Sequence, residues 1–259
     1  MDLQLQERAF MITGGSTGLG YALARQLVQE GAHVAILARD PERVAAAALS
    51  LREAGGEVLA LSGDVRRVGD IERFLDASLS QFGRLDGVVN NAGTLSAGEF
   101  ALHEDKVWEE DLSLKLMSAV RLTRLALPAL REAGAGAVLN TLSITGKAPE
   151  ALSTPTSVSR AAGLALTKAL SRELAPHNIR VNAVLIGVVE SAQLEALAAA
   201  AGITPPEYYE RMVTNTKIPL GRVGCPEEFA ALASFLLSPR ASYVTGAAVN
   251  LDGGLCPVV

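Results

Sequence analysis

The chain has 259 residues, of which 49% are apolar and 20% charged, and its net charge is −5. That apolar share excludes a disordered chain, and the length suits one α/β domain spanning 1–259. An acidic balance without basic blocks argues against a nucleic-acid or membrane-surface partner, and Cys225 and Cys256 are too few for a disulfide scaffold. The first residues show no basic and then apolar leader, and no apolar run is long enough to cross a bilayer, so a cytoplasmic protein is expected.

In chain order, short apolar runs at 10–12, 34–37, 58–61, 87–90, 137–140, 180–184 and 247–251 predict strands. Amphipathic stretches between them, such as 21–30, 107–130 and 157–174, predict helices. The strand runs are continuously apolar rather than alternating, which indicates a sheet covered on both faces. Strand–helix alternation then predicts a single-domain, Rossmann-type α/β fold, a doubly wound parallel sheet with right-handed crossovers. Residues 190–219 break the rhythm with an Ala-rich helix, Pro205-Pro206 and the pair Tyr208-Tyr209. This segment is either a substrate lid over a crevice or a surface helical hairpin.

The first strand runs into Thr13-Gly14-Gly15-Ser16-Thr17-Gly18-Leu19-Gly20, and a helix follows at once. Glycines let backbone approach a pyrophosphate, and a helix N-terminus supplies free N–H groups and positive dipole. Gly14, Ser16, Thr17, Gly18, Leu19 and Gly20 are therefore candidate cofactor-binding residues. The second strand ends Leu37-Ala38-Arg39-Asp40. NAD-binding units place a carboxylate here for the adenosine ribose, whereas a cation suits a 2′-phosphate. Ala38 offers neither group and Arg39 offers the cation, unless it is a solvated surface residue, while Asp40 pulls the other way. NADP(H) is expected in preference to NAD(H).

Joined to Asn90-Asn91-Ala92-Gly93, the glycine loop resembles that of the short-chain dehydrogenase/reductase family. The resemblance extends through Asp64-Val65, the strand Ile179-Arg180-Val181-Asn182-Ala183-Val184, Ile218-Pro219-Leu220-Gly221-Arg222, and Tyr243-Val244-Thr245-Gly246 to Asp252-Gly253-Gly254, and so covers essentially the whole chain. It implies adenine contacts from Asp64 and Val65. It adds Asn91, Ala92, Gly93, Gly187 and Val189 to the cofactor-binding set.

In that family a tyrosine exchanges a proton with the substrate oxygen, and a lysine one helical turn later lowers the tyrosine's pKa and holds the nicotinamide ribose. An upstream serine polarises the carbonyl, and a helix asparagine orders a water relay. The resemblance keeps the serine as Ser143 but sets Thr156 in the tyrosine position, Arg160 in the lysine position and Lys115 in the asparagine position. None of the four tyrosines, Tyr21, Tyr208, Tyr209 and Tyr243, lies between Ser143 and Lys168.

A phenol titrates near ~10 and can be tuned, whereas an aliphatic hydroxyl cannot, and arginine keeps its proton under ordinary conditions. Lys115 is the candidate replacement acid, because burial and a neighbouring Arg160 would both lower its pKa. Otherwise it forms an exposed ion pair with Asp111, four residues earlier. Ser143 either meets substrate or bonds its own backbone. Glu109-Glu110-Asp111 reads as a solvated helix face, and the three histidines, His33, His103 and His177, show no metal-ligand spacing.

The expected activity is an NADP(H)-dependent oxidoreductase with a degenerate acid–base site, suited to iminium, quinone or activated enone substrates. Ser143, Lys115, Thr156 and Arg160 are its candidate catalytic residues, and Arg160 also belongs to the cofactor set. The alternatives are a catalytically impaired NADP(H)-binding or regulatory protein, and a non-redox lyase or isomerase. The resemblance also implies a homotetramer or homodimer built on the helices carrying Lys115 and Arg160, with Leu112, Leu116, Leu164 and Leu166 contributing.

Overall fold

A computed structural model describes residues 2–259. Its seven strands are β1 (Ala9–Thr13), β2 (His33–Ala38), β3 (Val58–Ser62), β4 (Gly87–Asn90), β5 (Ala137–Ser143), β6 (Arg180–Ile186) and β7 (Ala248–Leu251). All pair in parallel, in the order β3-β2-β1-β4-β5-β6-β7. Each strand falls on one of the apolar runs, with β4 matching its run and β7 one residue shorter. The whole of β1 and the inner residues of β2 and β6 are buried, as a sheet covered on both faces requires.

Helices α1 (Gly18–Gln29), α2 (Pro41–Glu53) and α9 (Pro226–Leu237) cover one face. There Phe10, Ile12, Leu23, Leu27 and Phe229 share a core. Helices α3 (Val68–Phe82), α5 (Ser118–Glu132) and α6 (Thr156–Glu173) lie on the other face, where Met11, Phe74, Leu122 and Leu130 pack together. Phe10 and Ile12 point to one core and Met11 to the other, the two-residue period of a strand.

The predicted helix at 107–130 departs from expectation. It divides into α4 (Asp105–Leu112) and α5, separated by a π-helical turn, Ser113–Met117. Ser118 Oγ donates back to the Leu114 carbonyl at 2.5 Å, a side-chain bond of the kind that disturbs a regular ladder. Such wide turns recur at functional sites, and this one carries Lys115.

Residues 190–219 form a helical hairpin of α7 (Ala192–Ala200) and α8 (Pro205–Thr216). Ser191 caps α7, and Thr204 with Glu207 forms a capping box on α8. Among the described residues no helix is long and apolar enough to cross a membrane.

The chain leaves β1 towards β2 on one side and reaches β4 on the other. A crevice therefore opens beyond the carboxyl ends of β1 and β4, where α/β sheets bind ligands. A buried polar ladder stiffens its floor. Asn90 Nδ2 donates to Asn140 Oδ1 (2.8 Å) and Thr123 Oγ1 (3.1 Å). Asn140 Nδ2 donates to Thr167 Oγ1 (2.9 Å), which donates to the Gly163 carbonyl (2.8 Å). Removing Asn140 leaves buried groups of Asn90 and Thr167 short of partners. Asn140→Ala should therefore lower stability by roughly 2 kcal/mol or more in urea unfolding at unchanged m-value; a loss below about 0.5 kcal/mol would refute this role for the ladder.

Candidate active site at the carboxyl edge of the sheet

The loop between β1 and α1 is shaped by steric necessity at two glycines. A Cβ on Gly20 would lie 2.3 Å from the Gly14 carbonyl oxygen, so the first turn of α1 rests directly on the loop backbone. Gly14 has φ +69°, and a Cβ there would lie 3.1 Å from Ala92 Cα. Thr17 stands at the N-cap of α1 without a side-chain capping bond, which leaves the first N–H groups for an external anion. Ser16 and Leu19 are half-buried beside it, and Gly18 faces open space.

The loop after β4 clamps this turn. Asn91 Nδ2 donates to the carbonyls of Thr13 (3.1 Å) and Gly14 (3.2 Å). Thr13 Oγ1 accepts from the N–H groups of Asn91 (3.0 Å) and Ala92 (3.1 Å). The Asn91 side chain thus shapes the glycine loop.

Beyond β2 and β3, Arg39 lines a groove of about 360 Å³ with Ser62, Asp64, Arg67, Asp70 and Arg73. Asp40, which left the nucleotide preference open in the sequence, is turned to its own helix. It caps α2, accepting from the N–H groups of Glu42 (3.0 Å) and Arg43 (3.1 Å), and pairs with the Arg43 guanidinium at 3.3 Å. Asp64 is gripped by Arg66, with Nη2 2.6 Å from Oδ2, and this bond holds its carboxyl below the usual range. Asp70 pairs with Arg73 at 3.1 Å. Among the described residues, Arg39 and Arg67 have no ion-pair partner, and the groove is left cationic. Val65 is buried behind it.

At the far end of the crevice, a Cβ on Gly187 would lie 2.7 Å from Asp252 Cβ, and the Gly187 N–H donates to the Leu251 carbonyl at 3.0 Å. Val189 is buried and bridges to Gly224.

Between these ends lies a buried charge cluster. Lys115 Nζ donates to Asp111 Oδ1 and, at 2.7 Å, to Thr156 Oγ1. The two charged side chains are 0% and 1% exposed, so the pair is wholly interior. The other Asp111 oxygen accepts from Ser159 Oγ at 2.6 Å. Thr156 Oγ1 donates to the Ser96 carbonyl (2.6 Å) and accepts from the Ser96 N–H (3.0 Å) as well as from Lys115. One donor and two acceptor sites are all a hydroxyl has, so Thr156 is saturated.

Arg160 Nη1 donates to the Thr141 carbonyl at 2.8 Å, and Nη2 lies where a Cβ on Gly93 would sit, 2.6 Å away. Its Nε is buried without a partner, as is Thr141 Oγ1. Burial, joined by the charge of Arg160, pulls the Lys115 ammonium down to about 8 against the opposing hydrogen bond and charge of Asp111. Burial likewise lowers Arg160 to about 10, opposed by Asp111, which leaves it charged at neutral pH.

Lys115, Thr156 and Arg160 are thus brought together. Ser143 is not bonded to them: its Oγ accepts from the Thr145 N–H (3.2 Å) and Thr145 Oγ1 (3.0 Å), the local backbone bonding weighed from the sequence. Two expectations are corrected. The Lys115–Asp111 pair exists but is buried rather than exposed, and Asp111 leaves the solvated acidic face to which it was assigned, while Glu109 and Glu110 remain exposed. The four-residue spacing of Asp111 and Lys115 was the usable signal. Ser159 and Ser96 were missed; Ser159 follows Thr156 by three helical residues, but no rule singles out Ser96. Tyr209 sits among Glu190, Ser191 and Glu195 at the base of the hairpin, and burial, with the two glutamates, raises its hydroxyl pKa.

A doubly wound sheet with a glycine loop at its switch point defines a dinucleotide-binding α/β protein, and known proteins narrow the class. Residues 14–256 match the family model described as enoyl-(acyl carrier protein) reductase. Human dehydrogenase/reductase SDR family member 4 is 34% identical over 254 residues, covering 96% of this chain and 88% of that protein. L-sorbose reductase from Gluconobacter frateurii, solved with NADPH and L-sorbose, superimposes with a TM-score of 0.94 at 33% identity over 100% of both chains. An NADPH-bound short chain oxidoreductase from Pseudomonas aeruginosa PAO1, described as containing an atypical catalytic center, gives 0.93 at 35% identity over 98% of both. The chain belongs to the short-chain dehydrogenase/reductase family.

The residues present fit such a nucleotide. The Gly14–Gly20 contact forms a cradle that a side chain would fill, and the partnerless Arg160 Nε is a buried donor awaiting an acceptor.

Proposed function

We propose that the protein is an NADPH-dependent reductase in which Lys115, rather than a tyrosine, is the proton source. The observation that carries this reading is the buried Lys115 ammonium, held between Asp111 and Thr156 beside Arg160. In this reading Thr156 and Arg160 occupy the family's tyrosine and lysine positions, and Lys115 the asparagine position. When bound, the reduced nicotinamide supplies a hydride to an unsaturated carbon of the substrate.

Lys115 has three N–H donors, two of which go to Asp111 and Thr156. The third is enclosed with the side chain, which is 0% exposed, so serving the substrate atom that gains negative charge requires α4 and α6 to part beside Lys115 as substrate enters. Thr156, being saturated, orients that ammonium and gives up no proton itself. Arg160 offers Nε to the ribose hydroxyls and adds positive charge, and Ser143 contacts substrate at the end of β5 once its bond with Thr145 rearranges. Activated enones and quinones suit this arrangement, since the oxygen that gains charge takes the proton, whereas an iminium ion takes hydride alone and would not call on Lys115. The α7–α8 hairpin covers the substrate.

Arg39 and Arg67 favour a 2′-phosphate over a bare ribose, because Asp40 is engaged as a helix cap. The NADPH of the two solved relatives is consistent with that preference. A second reading, a nucleotide-binding protein without turnover, rests on the saturated Thr156 hydroxyl. It would stand if NADPH bound tightly while none of the three substrate classes was reduced. The lyase or isomerase alternative would require turnover without nicotinamide.

Subunit assembly through α4, α5 and α6 follows from the apolar residues those helices leave uncovered. Met117 and Val158 are 38% and 45% exposed, and Leu112, Leu116, Leu164 and Leu166 are only half-buried. Sedimentation velocity should show a dimer or tetramer, shifted towards monomer by Val158→Glu; a monomeric wild type refutes the assembly.

Turnover should fall as pH rises through about 8, because Lys115 must be protonated to give up a proton. Lys115→Ala should reduce turnover by about 10²–10⁴ with little change in NADPH affinity; an equal loss in binding refutes the acid role. Arg39→Ala should weaken NADPH at least about tenfold and leave NADH unchanged in fluorescence titrations. A parallel loss for both nucleotides would remove Arg39 from 2′-phosphate recognition.

A further inference from the structure

Asp111 has no place in the family pattern, yet among the described residues it is the only acidic side chain bonded to the cluster. It lies at the end of α4, one turn before the π-helical turn that carries Lys115. Its carboxylate is 1% exposed, and both oxygens are used, one by Lys115 Nζ and the other by Ser159 Oγ at 2.6 Å. Ser159 Oγ also lies 3.0 Å from the Thr156 carbonyl, so the carboxylate is tied to the same turn of α6 that presents Thr156. The contacts close a ring across two helices, from Asp111 to Lys115 to Thr156, along the α6 backbone to Ser159, and back to Asp111.

We infer that Asp111 is a positioning residue of this site: its buried carboxylate, braced by Ser159, fixes the Lys115 ammonium against Thr156 and keeps it protonated for proton donation. The inference rests on the reading of Lys115 as the proton source and names the group that sets its strength.

An isolated ammonium in this setting would lose its proton. Burial disfavours its charge, and the Arg160 guanidinium presented by α6 disfavours it further. Thr156 and Ser159, also from α6, are neutral. Among the described residues, Asp111, from α4, is the facing group that opposes these effects, by its hydrogen bond and by its charge. Replacing the carboxylate with an amide of the same shape removes the counter-charge and preserves the outline of the side chain.

The test is Asp111→Asn followed by two readouts. In the nucleotide-free protein labelled with [¹³Cε]lysine, the Lys115 signal, assigned through Lys115→Ala, should titrate near 8 in the wild type. In the variant it should titrate at least about one pH unit lower. The descending limb of kcat against pH should move the same way, with NADPH affinity retained. An unmoved Lys115 titration overturns the inference. If the titration moves and the kcat limb does not, Asp111 still sets the charge of Lys115, and it is the proton-source reading that fails.

Should Asp111→Asn fail to fold, Asp111→Glu keeps the charge and displaces it by one methylene. The Lys115 titration should then stay near its wild-type position while kcat falls at unchanged NADPH affinity. An unchanged kcat, or a titration that drops despite the retained charge, overturns the inference.

Discussion

Two cations, the buried Lys115 and the half-buried Arg160, lie beside one buried carboxylate, Asp111, and the rest of the site is arranged around that imbalance. Taking an ion out of water costs several kcal/mol, even after relaxation. Asp111 and Thr156 bond the ammonium, the Thr141 carbonyl takes one arm of the guanidinium, and the α6 backbone joins Thr156 to Ser159. What these partners leave over is positive charge and a donor, Arg160 Nε, with nothing to meet it. In the proposed function, a dinucleotide along the crevice would bring ribose hydroxyls towards that donor and phosphates to α1. In the proposed reading, binding completes a hydrogen-bond set that the protein alone leaves open.

The sheet makes this arrangement possible. Parallel strands bring six loop starts to one edge, so residues far apart in the chain converge: Gly14 beside Ala92, Gly93 beside Arg160, Gly187 beside Asp252. Each approach is close enough that backbone or small residues are required. The Asn90–Asn140–Thr167 ladder lies directly beneath, so the floor of the crevice is held by directed bonds rather than by apolar packing alone.

The strands were legible because a sheet buried on both faces demands unbroken apolar runs, as at 34–37; 180–184 interleaves Arg180 and Asn182, whose side chains are bonded to the Leu236 and Val244 carbonyls. The glycine loop was legible because its spacing is dictated by backbone contact. The interior of the site was less so. Asp111 was misread because Glu109-Glu110-Asp111 was taken as one charged run, whereas successive residues of a helix point about 100° apart, and α4 turns Glu109 and Glu110 to solvent and Asp111 inward. Asp40 was ambiguous as a ribose ligand, although Asp40-Pro41-Glu42 is also a helix start: a capping carboxylate, proline at the first position, an acid in the first turn. Ser96 comes from an irregular loop, where side-chain roles follow no period at all.

The substitutions proposed for this site make sense together rather than singly. A guanidinium at 160 cannot share a proton with its neighbours, so a titratable phenol at 156 would lose the lysine that tunes it. A threonine at 156 brings its short hydroxyl under the Ser96 backbone and against Lys115, where all its bonding sites are filled. With α6 thus deprived of exchangeable protons near neutrality, the proposed function gives proton transfer to the facing helix. There the π-helical turn and the Asp111 carboxylate supply what a lysine needs to sit in the interior and still be charged. The loss of acid–base groups from one helix and the burial of an ion pair on the other are, in this reading, two sides of one change in where the proton is kept.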